Sequence, residues 1–313
     1  MIREDEISFV VQGPILKDGT NSTINVLKSI RIHFPNSEII LSSWIGEDIA
    51  DLEYDNLVLS ETPESINLYE NSICNINRQI VSTIEGIKLS TKKYIIKTRT
   101  NTLFNNNQLL TIYNQTPTNS VFENFILTIN LFSRDQYKST VLSYHDGFLH
   151  HPSDIFLMGL KTDILELFSC PFATKKIMLN RKGLGILAPE QYLWMDLLIR
   201  KGKIRNFKNS LVRYNPVACF KSEKLLFENF KIRNHQNVGL KLEDRIMNGW
   251  MAESVIDEKF QLQLDEKTSF QKNYLYLKRA VYYCLIVNHF WRKLKNSFTR
   301  KRKKYKYLFI CQR

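Results

Sequence analysis

What the sequence lacks narrows its possibilities first. Its five cysteines, Cys74, Cys170, Cys219, Cys284 and Cys311, are odd in number and scattered, with no CxxC and no Cys/His pair at metal-ligand spacing. That pattern fits a reducing cytosol. No GxxxxGK[ST] loop, GxGxxG fingerprint or Ser or Cys nucleophile signature is present, which argues against P-loop NTPases and the common dehydrogenases. The N-terminus, MIREDEISFVV, begins with charge and passes straight into a strand-like run, predicting no secretory signal. The apolar run Ala280 to Val287 is far short of the roughly 20 residues that a bilayer span needs. One stretch lacks acid altogether: Gln271 to Arg313 holds 13 Lys and Arg and no Asp or Glu. Against 44 basic and 31 acidic residues in the chain, those 13 account for the entire net charge of +13, so the body before Gln271 is formally neutral.

What is present reads as a globular chain. At 313 residues, 43% hydrophobic and 24% charged, it predicts one large domain or two small ones. Ile7 to Val11 is a strand ending in Gln12-Gly13-Pro14, a turn that glycine permits at low cost. Ile24, Leu27, Ile30 and Phe34 are spaced for a helix that Asn21, Ser22 or Thr23 caps and Pro35 ends. Glu38 to Trp44 and Asn56 to Leu59 read as strands. Ile73, Ile76, Ile80, Ile84 and Ile87 predict a second helix, which leads to a strand at Tyr94-Ile95-Ile96. This alternation predicts a parallel sheet with helices on its faces. Farther on, Phe125 to Phe132 suggests a strand and Asp163 to Phe168 a short helix. Another helix is expected from Pro189 to about Arg200.

Several clusters can carry chemistry. The Gln12-Gly13-Pro14 turn either closes a strand or offers backbone amides to a base or ribose. Lys97 and Arg99, two apart on a strand, point the same way and could meet a diphosphate, with Arg78 as a third cation. Asn101 is a neutral oxygen ligand. His150, His151 and Asp154 lack a third His or Cys at ligand spacing, which makes zinc a poor fit. On an extended segment the two histidines point to opposite faces, so at most one faces a pocket. Asp154 either caps the following segment or serves catalysis or acceptor binding. Glu190 is either an acid favoured at a helix N-terminus or a general base. In the tail, Trp291 to Tyr307 mixes cations with aromatic and aliphatic residues, a composition that favours adsorption to an anionic leaflet over plain solvation.

The segments ISFVVQGPI, LKSIRIHFPNSEIILSSWIGEDI, INRQIVSTIEGI, KYIIKTRTN, HPSDIFLMGL and PEQYLW, in this order, resemble the bacterial WavE lipopolysaccharide synthesis family from Ile7 to about Phe230. The resemblance implies a glycosyltransferase with an α/β, GT-A-like (Rossmann-like) fold, whose mostly parallel central sheet is flanked by helices. A catalytic domain over 1–270 would then carry a basic amphipathic appendix over 271–313. By the same resemblance Gln12, Gly13, Pro14, Asn77, Arg78, Lys97, Arg99 and Asn101 would hold the nucleotide-sugar. Glu190 would act as base, Asp154 would serve catalysis at the acceptor or donor sugar, and His151 would meet the acceptor. Such enzymes hold Mn2+ or Mg2+ through an acid at the end of this strand. Asn101 stands where that acid is expected, which puts metal dependence in question.

The implied partners are a nucleotide-sugar donor, a lipid-linked saccharide acceptor and an anionic membrane surface reached by the tail, with no specific nucleic acid. The implied location is cytoplasmic, peripheral on the inner face of the cytoplasmic membrane. Three alternatives stay open on the residues alone: a sugar-phosphate or other group transferase, a non-catalytic nucleotide-sugar binder, and a nucleic-acid binder acting through the basic tail.

Overall fold

The computed structural model describes residues 2–69, 72–113, 120–137, 149–179, 187–207, 215–247 and 256–286. Eleven strands fall among them: β1 Ile7–Gln12, β2 Glu38–Trp44, β3 Asn56–Ser60, β4 Ile66–Tyr69, β5 Ser72–Cys74, β6 Tyr94–Arg99, β7 Leu103–Phe104, β8 Ile126–Ile129, β9 Leu157–Leu160, β10 Phe230–Arg233 and β11 Leu240–Lys241. Seven of them form one sheet in the order β10-β8-β9-β6-β1-β2-β3. Its strands run parallel except β9, which pairs antiparallel with both β6 and β8. Strands β4 and β5 form a separate hairpin, and β7 pairs with β11. The mostly parallel α/β sheet is as the sequence predicts; the reversed β9 and the edge strand β10 are not legible in it.

Both faces of the sheet are covered, which is why its central strands read as unbroken apolar runs rather than alternating ones. All residues of β1 and β2 are buried. Side chains alternate between two cores. Phe9, Val11, Tyr94 and Ile96 meet helix α1 (Thr23–His33) through Val26, Leu27 and Ile30. Val10, Ile40 and Ile95 meet helix α2 (Ile76–Leu89) on the other face. Helices α4 (Lys161–Phe168) and α6 (Pro189–Arg200) extend that second layer, and α3 (Leu109–Ile112) and α5 (Lys175–Met178) are single turns.

Helix α2 starts at Ile76, later than the isoleucine spacing suggests. Ile73 belongs to β5 and is 64% exposed, so its fit to the helical period is coincidental. Gly86 lets α2 lie close on the sheet, because a Cβ there would come within 2.5 Å of Val10 Cγ1.

The boundary expected after residue 270 falls inside a helix over 269–286. That helix buries Tyr276, Ala280 and Cys284 in the second core. Arg279 Nη2 reaches both carboxylate oxygens of Asp135 at 3.1 Å, and its Nη1 lies 3.1 Å from Glu223 Oε1. The first part of the expected appendix is thus part of the body. The basic run Trp291 to Tyr307 lies outside the described residues.

Candidate functional site

In the sheet the chain steps outward from β1 through β2 to β3, then returns to the other side of β1 with β6. Ligands of open α/β sheets bind at the carboxyl ends of the strands beside such a reversal. A cleft of about 660 Å³ opens there, lined from β1 by Gln12, from β2 by Trp44 and from β6 by Arg99.

The turn after β1 comes first. Gln12, Gly13 and Pro14 all line the cleft. Gln12 Oε1 accepts a 2.6 Å hydrogen bond from Ser82 Oγ of α2, which fixes its amide. Gly13 has φ +127°, and any Cβ would stand 3.2 Å from Thr100 Oγ1. The conformation calls for glycine, and a side chain would also crowd Thr100. The hydroxyl of Thr100 donates to Pro14 O at 2.7 Å, tying the first turn to the end of β6.

The cations separate into two kinds. Arg78 and Arg99 line the cleft; Arg78 Nε donates to Pro63 O at 2.9 Å, and Arg99 Nη2 lies 3.2 Å from Asp154 Oδ1. Lys97, expected beside Arg99 at a diphosphate, is instead fully buried and does not line the cleft. It points to the same side as Arg99, but one strand repeat deeper, so protein covers it. Its amine donates to the backbone carbonyl of Asp154 and faces the Phe168 ring, while burial pulls its pKa down to about 7. Lys97 holds the Asp154 segment in place.

Asn77 is a second correction. Its Nδ2 donates to Ala173 O at 3.1 Å and its Oδ1 accepts from Ala173 N at 2.8 Å, so the amide ties α2 to the loop after α4 and does not reach the cleft. His151, expected at an acceptor, is buried outside the cleft lining, and burial lowers its pKa to about 3. The segment is not extended there: His150 takes φ +56°, and both rings lie in the interior.

Asp154 and Glu190 do face the cleft, both buried. Burial alone would push the Asp154 carboxyl up, but Arg99 and then Lys97 outweigh it and hold it below the ordinary carboxylate range. For Glu190 the balance is reversed. Burial, and next the neighbouring Asp154 charge, push it well above that range, against weaker pulls from a backbone hydrogen bond and then from Arg99 and Arg134. Two acids in one site are thereby driven apart, one ionised and one poised to exchange a proton. Glu190 is placed by Pro189 at the first position of α6 and by Gln191, whose Oε1 accepts from Ala188 N and whose Nε2 donates to Leu149 O.

Asn101 also lines the cleft at 5% exposure. Its backbone oxygen accepts from Asn21 Nδ2, whereas its side-chain Oδ1 is buried without a hydrogen-bond partner. A buried carbonyl left so is costly until something donates to it. The oxygens that the cleft could offer a divalent cation are the carboxylates of Glu47, Asp154 and Glu190 and the amide of Asn101. Asn101 offers one neutral oxygen, Asp154 is held by Arg99, and two guanidinium groups share the cleft. Among the described residues, no three His, Cys, Asp or Glu side chains group as metal ligands.

The end of β2 and the loop after it also contribute Trp44, Ile45, Gly46 and Glu47, none of them singled out as site residues from the sequence. The available signal was a glycine just beyond a buried strand, as at Gly13, here two residues past Trp44 rather than one; Gly46 takes φ +91°.

No curated protein matches the chain. Among solved structures, the apo-form glycosyltransferase GlyE of Streptococcus pneumoniae TIGR4 aligns with 92% of this chain at 9% identity and a TM-score of 0.32, too remote to carry an argument. The present chain spans 63% of that one. The sequence itself matches the family described as WavE lipopolysaccharide synthesis over residues 7–300, so the chain belongs to that family.

Proposed function

We propose that this chain is a glycosyltransferase that moves a sugar from a nucleoside diphosphate to a hydroxyl of a lipopolysaccharide-core or other surface-glycan acceptor. The observation that carries the reading is the buried Glu190 carboxyl, pushed up in pKa, on the same cleft as Arg78 and Arg99. Family membership supplies the glycan context. The sheet order, with one reversed strand between β6 and β8, supports a GT-A-like arrangement of donor and acceptor halves.

In this reading the turn Gln12 to Pro14 and the Trp44 ring line the nucleoside, and Arg78 and Arg99 face the diphosphate. Asn101 Oδ1 accepts a hydroxyl of the donor, which satisfies its buried oxygen. Ionised Glu190 takes the proton of the acceptor hydroxyl as its oxygen attacks the anomeric carbon. The bond to the diphosphate breaks, and the leaving group departs with the electron pair. Arg78 and Arg99 offset the charge that develops on it; such preorganised cations commonly contribute several kcal/mol in a water-poor site. Metal ions in related chemistry do the same work, but no step here is assigned to one.

The test is a thermal-shift screen of uridine, guanosine, cytidine and thymidine diphosphate sugars, followed by product analysis of any that stabilise. We expect at least one to stabilise the protein and Arg99→Ala to abolish its effect. If no nucleotide or nucleotide-sugar raises the thermal midpoint, the assignment is wrong. A product bearing sugar phosphate in place of sugar would instead identify a sugar-phosphate transferase.

A further inference from the structure

The helix over 269–286 has two unlike faces. Tyr276, Ala280 and Cys284 are buried against the body, while Phe270, Tyr274, Leu277, Val281 and Leu285 form a stripe on the solvent side, from 40% exposed at Val281 to 80% at Phe270. Spacings of four, three, four and four residues keep that stripe on one side of the helix. Tyr282 and Ile286 widen it towards the C-terminal end. Soluble surfaces seldom carry contiguous apolar strips of this kind unless something covers them.

The helix cannot roll to hide this face. Arg279 grips Asp135 and Glu223 and lies over the Phe260 ring with its guanidinium carbon 4.0 Å from the centroid. The apolar side is therefore held outward by a partly buried clamp.

We infer that this stripe is a docking face for an anionic lipid bilayer, on which the helix lies flat. The argument for this occupant is charge complementarity. The apolar face belongs to the acid-free stretch, and residues 287–313 continue it with ten Lys and Arg among Phe290, Trp291 and Phe298. An apolar helix face followed in sequence by concentrated cations matches in composition the acyl boundary and headgroup layer of an anionic leaflet. A nucleic acid would engage the cations but offers little to cover Leu277, Val281 and Leu285. No helix of the described residues is long and apolar enough to cross a membrane, so the contact lies on the surface. The inference is independent of the chemistry assigned to the cleft.

The experiment uses the full chain in co-sedimentation with vesicles of equimolar phosphatidylcholine and phosphatidylglycerol, and with phosphatidylcholine alone. Binding is expected with the anionic vesicles only, and weaker at high salt. The triple variant Leu277→Ser, Val281→Ser, Leu285→Ser should bind at least tenfold less tightly. All three side chains are already exposed, so the fold should survive, which an unchanged thermal midpoint and unchanged response to nucleotides would verify. Equal vesicle binding by wild type and variant would overturn the proposal, as would equal binding to both vesicle types. A wild-type dimer in sedimentation velocity that the triple variant dissolves would also overturn it, by showing that a second copy covers the stripe. RNA binding that the substitutions leave intact, with no vesicle binding, would assign the tail to nucleic acid instead.

Discussion

At the scale of single residues, the opposed environments of Asp154 and Glu190 make the sharpest prediction. A general base typically contributes about 10²- to 10⁴-fold in rate, so Glu190→Gln should lower kcat by that order while nucleotide-sugar stabilisation persists. Because Glu190 must be ionised to act and its pKa is raised, turnover should climb with pH across a window above the ordinary carboxylate range. Removing the nearby charge with Asp154→Asn should move the midpoint of that climb to lower pH, whatever it does to the plateau. Stability has the opposite sign. The folded chain keeps the Glu190 proton that the unfolded chain releases near 4.5, so this contribution is present below that pH and is lost as pH rises through the raised value. Activity and thermal midpoint should therefore diverge as pH increases, and the divergence should vanish in Glu190→Gln. Asn101 carries a second prediction. If guanidinium groups do the work of a metal, a chelator should leave donor stabilisation of the native protein unchanged, and Asn101→Asp should create a manganese-dependent increment. Loss of donor binding on chelation would show that the cleft uses a metal after all.

At the scale of elements, helix α2 and its glycine offer a test in which two effects compete. Gly86→Ala gains up to about 1 kcal/mol of helix propensity. It also drives a methyl to 2.5 Å from Val10 and 3.2 Å from Ser42, both on buried central strands. Overpacking of this kind costs about 1–3 kcal/mol. The steric term wins, so the variant should melt a few degrees lower, and a gain in thermal midpoint would mean that α2 lies farther from the sheet. The same helix shows what could be read in advance. Its apolar period and the strand at Tyr94 follow from local spacing, as do β1 and β2, because strands buried on both faces leave continuous apolar runs. Ile73 misled for the converse reason: a period of three and four residues does not say where a helix begins. Lys97 and Asn77 were misplaced because sequence shows which way a side chain points along its element but not how deep it lies. Whether a lysine meets a ligand or a backbone carbonyl is decided by segments distant in the chain, here the one at Asp154. The contribution of Trp44 and Glu47 depended on the sheet order, which local pattern does not contain.

At the scale of the whole molecule, composition alone suggested a neutral body with a separable basic appendix, and packing places the division elsewhere. The helix over 269–286 buries a tyrosine side chain, worth roughly 1.5–3 kcal/mol by area. It also supplies Arg279, whose removal would leave Asp135 and the nearly inaccessible Glu223 without their cation. Breaking a buried ion pair from one side costs about 3–5 kcal/mol. Burial already pushes Glu223 up to about 8 against the pull of Arg279, so part of that cost would be relieved by protonation. Even at the lower end the two losses together approach the 5–15 kcal/mol that a folded domain has in total. A chain ending at residue 270 should therefore unfold at much lower temperature, or fail to accumulate, rather than persist as an independent catalytic domain. A chain ending at residue 286 keeps Tyr276, Arg279 and Cys284 and should retain both the cooperative melt and the response to nucleotides. Calorimetry on the two truncations decides the point: if the shorter one melts like the full chain, the helix is only laid against the body and the boundary belongs at residue 270.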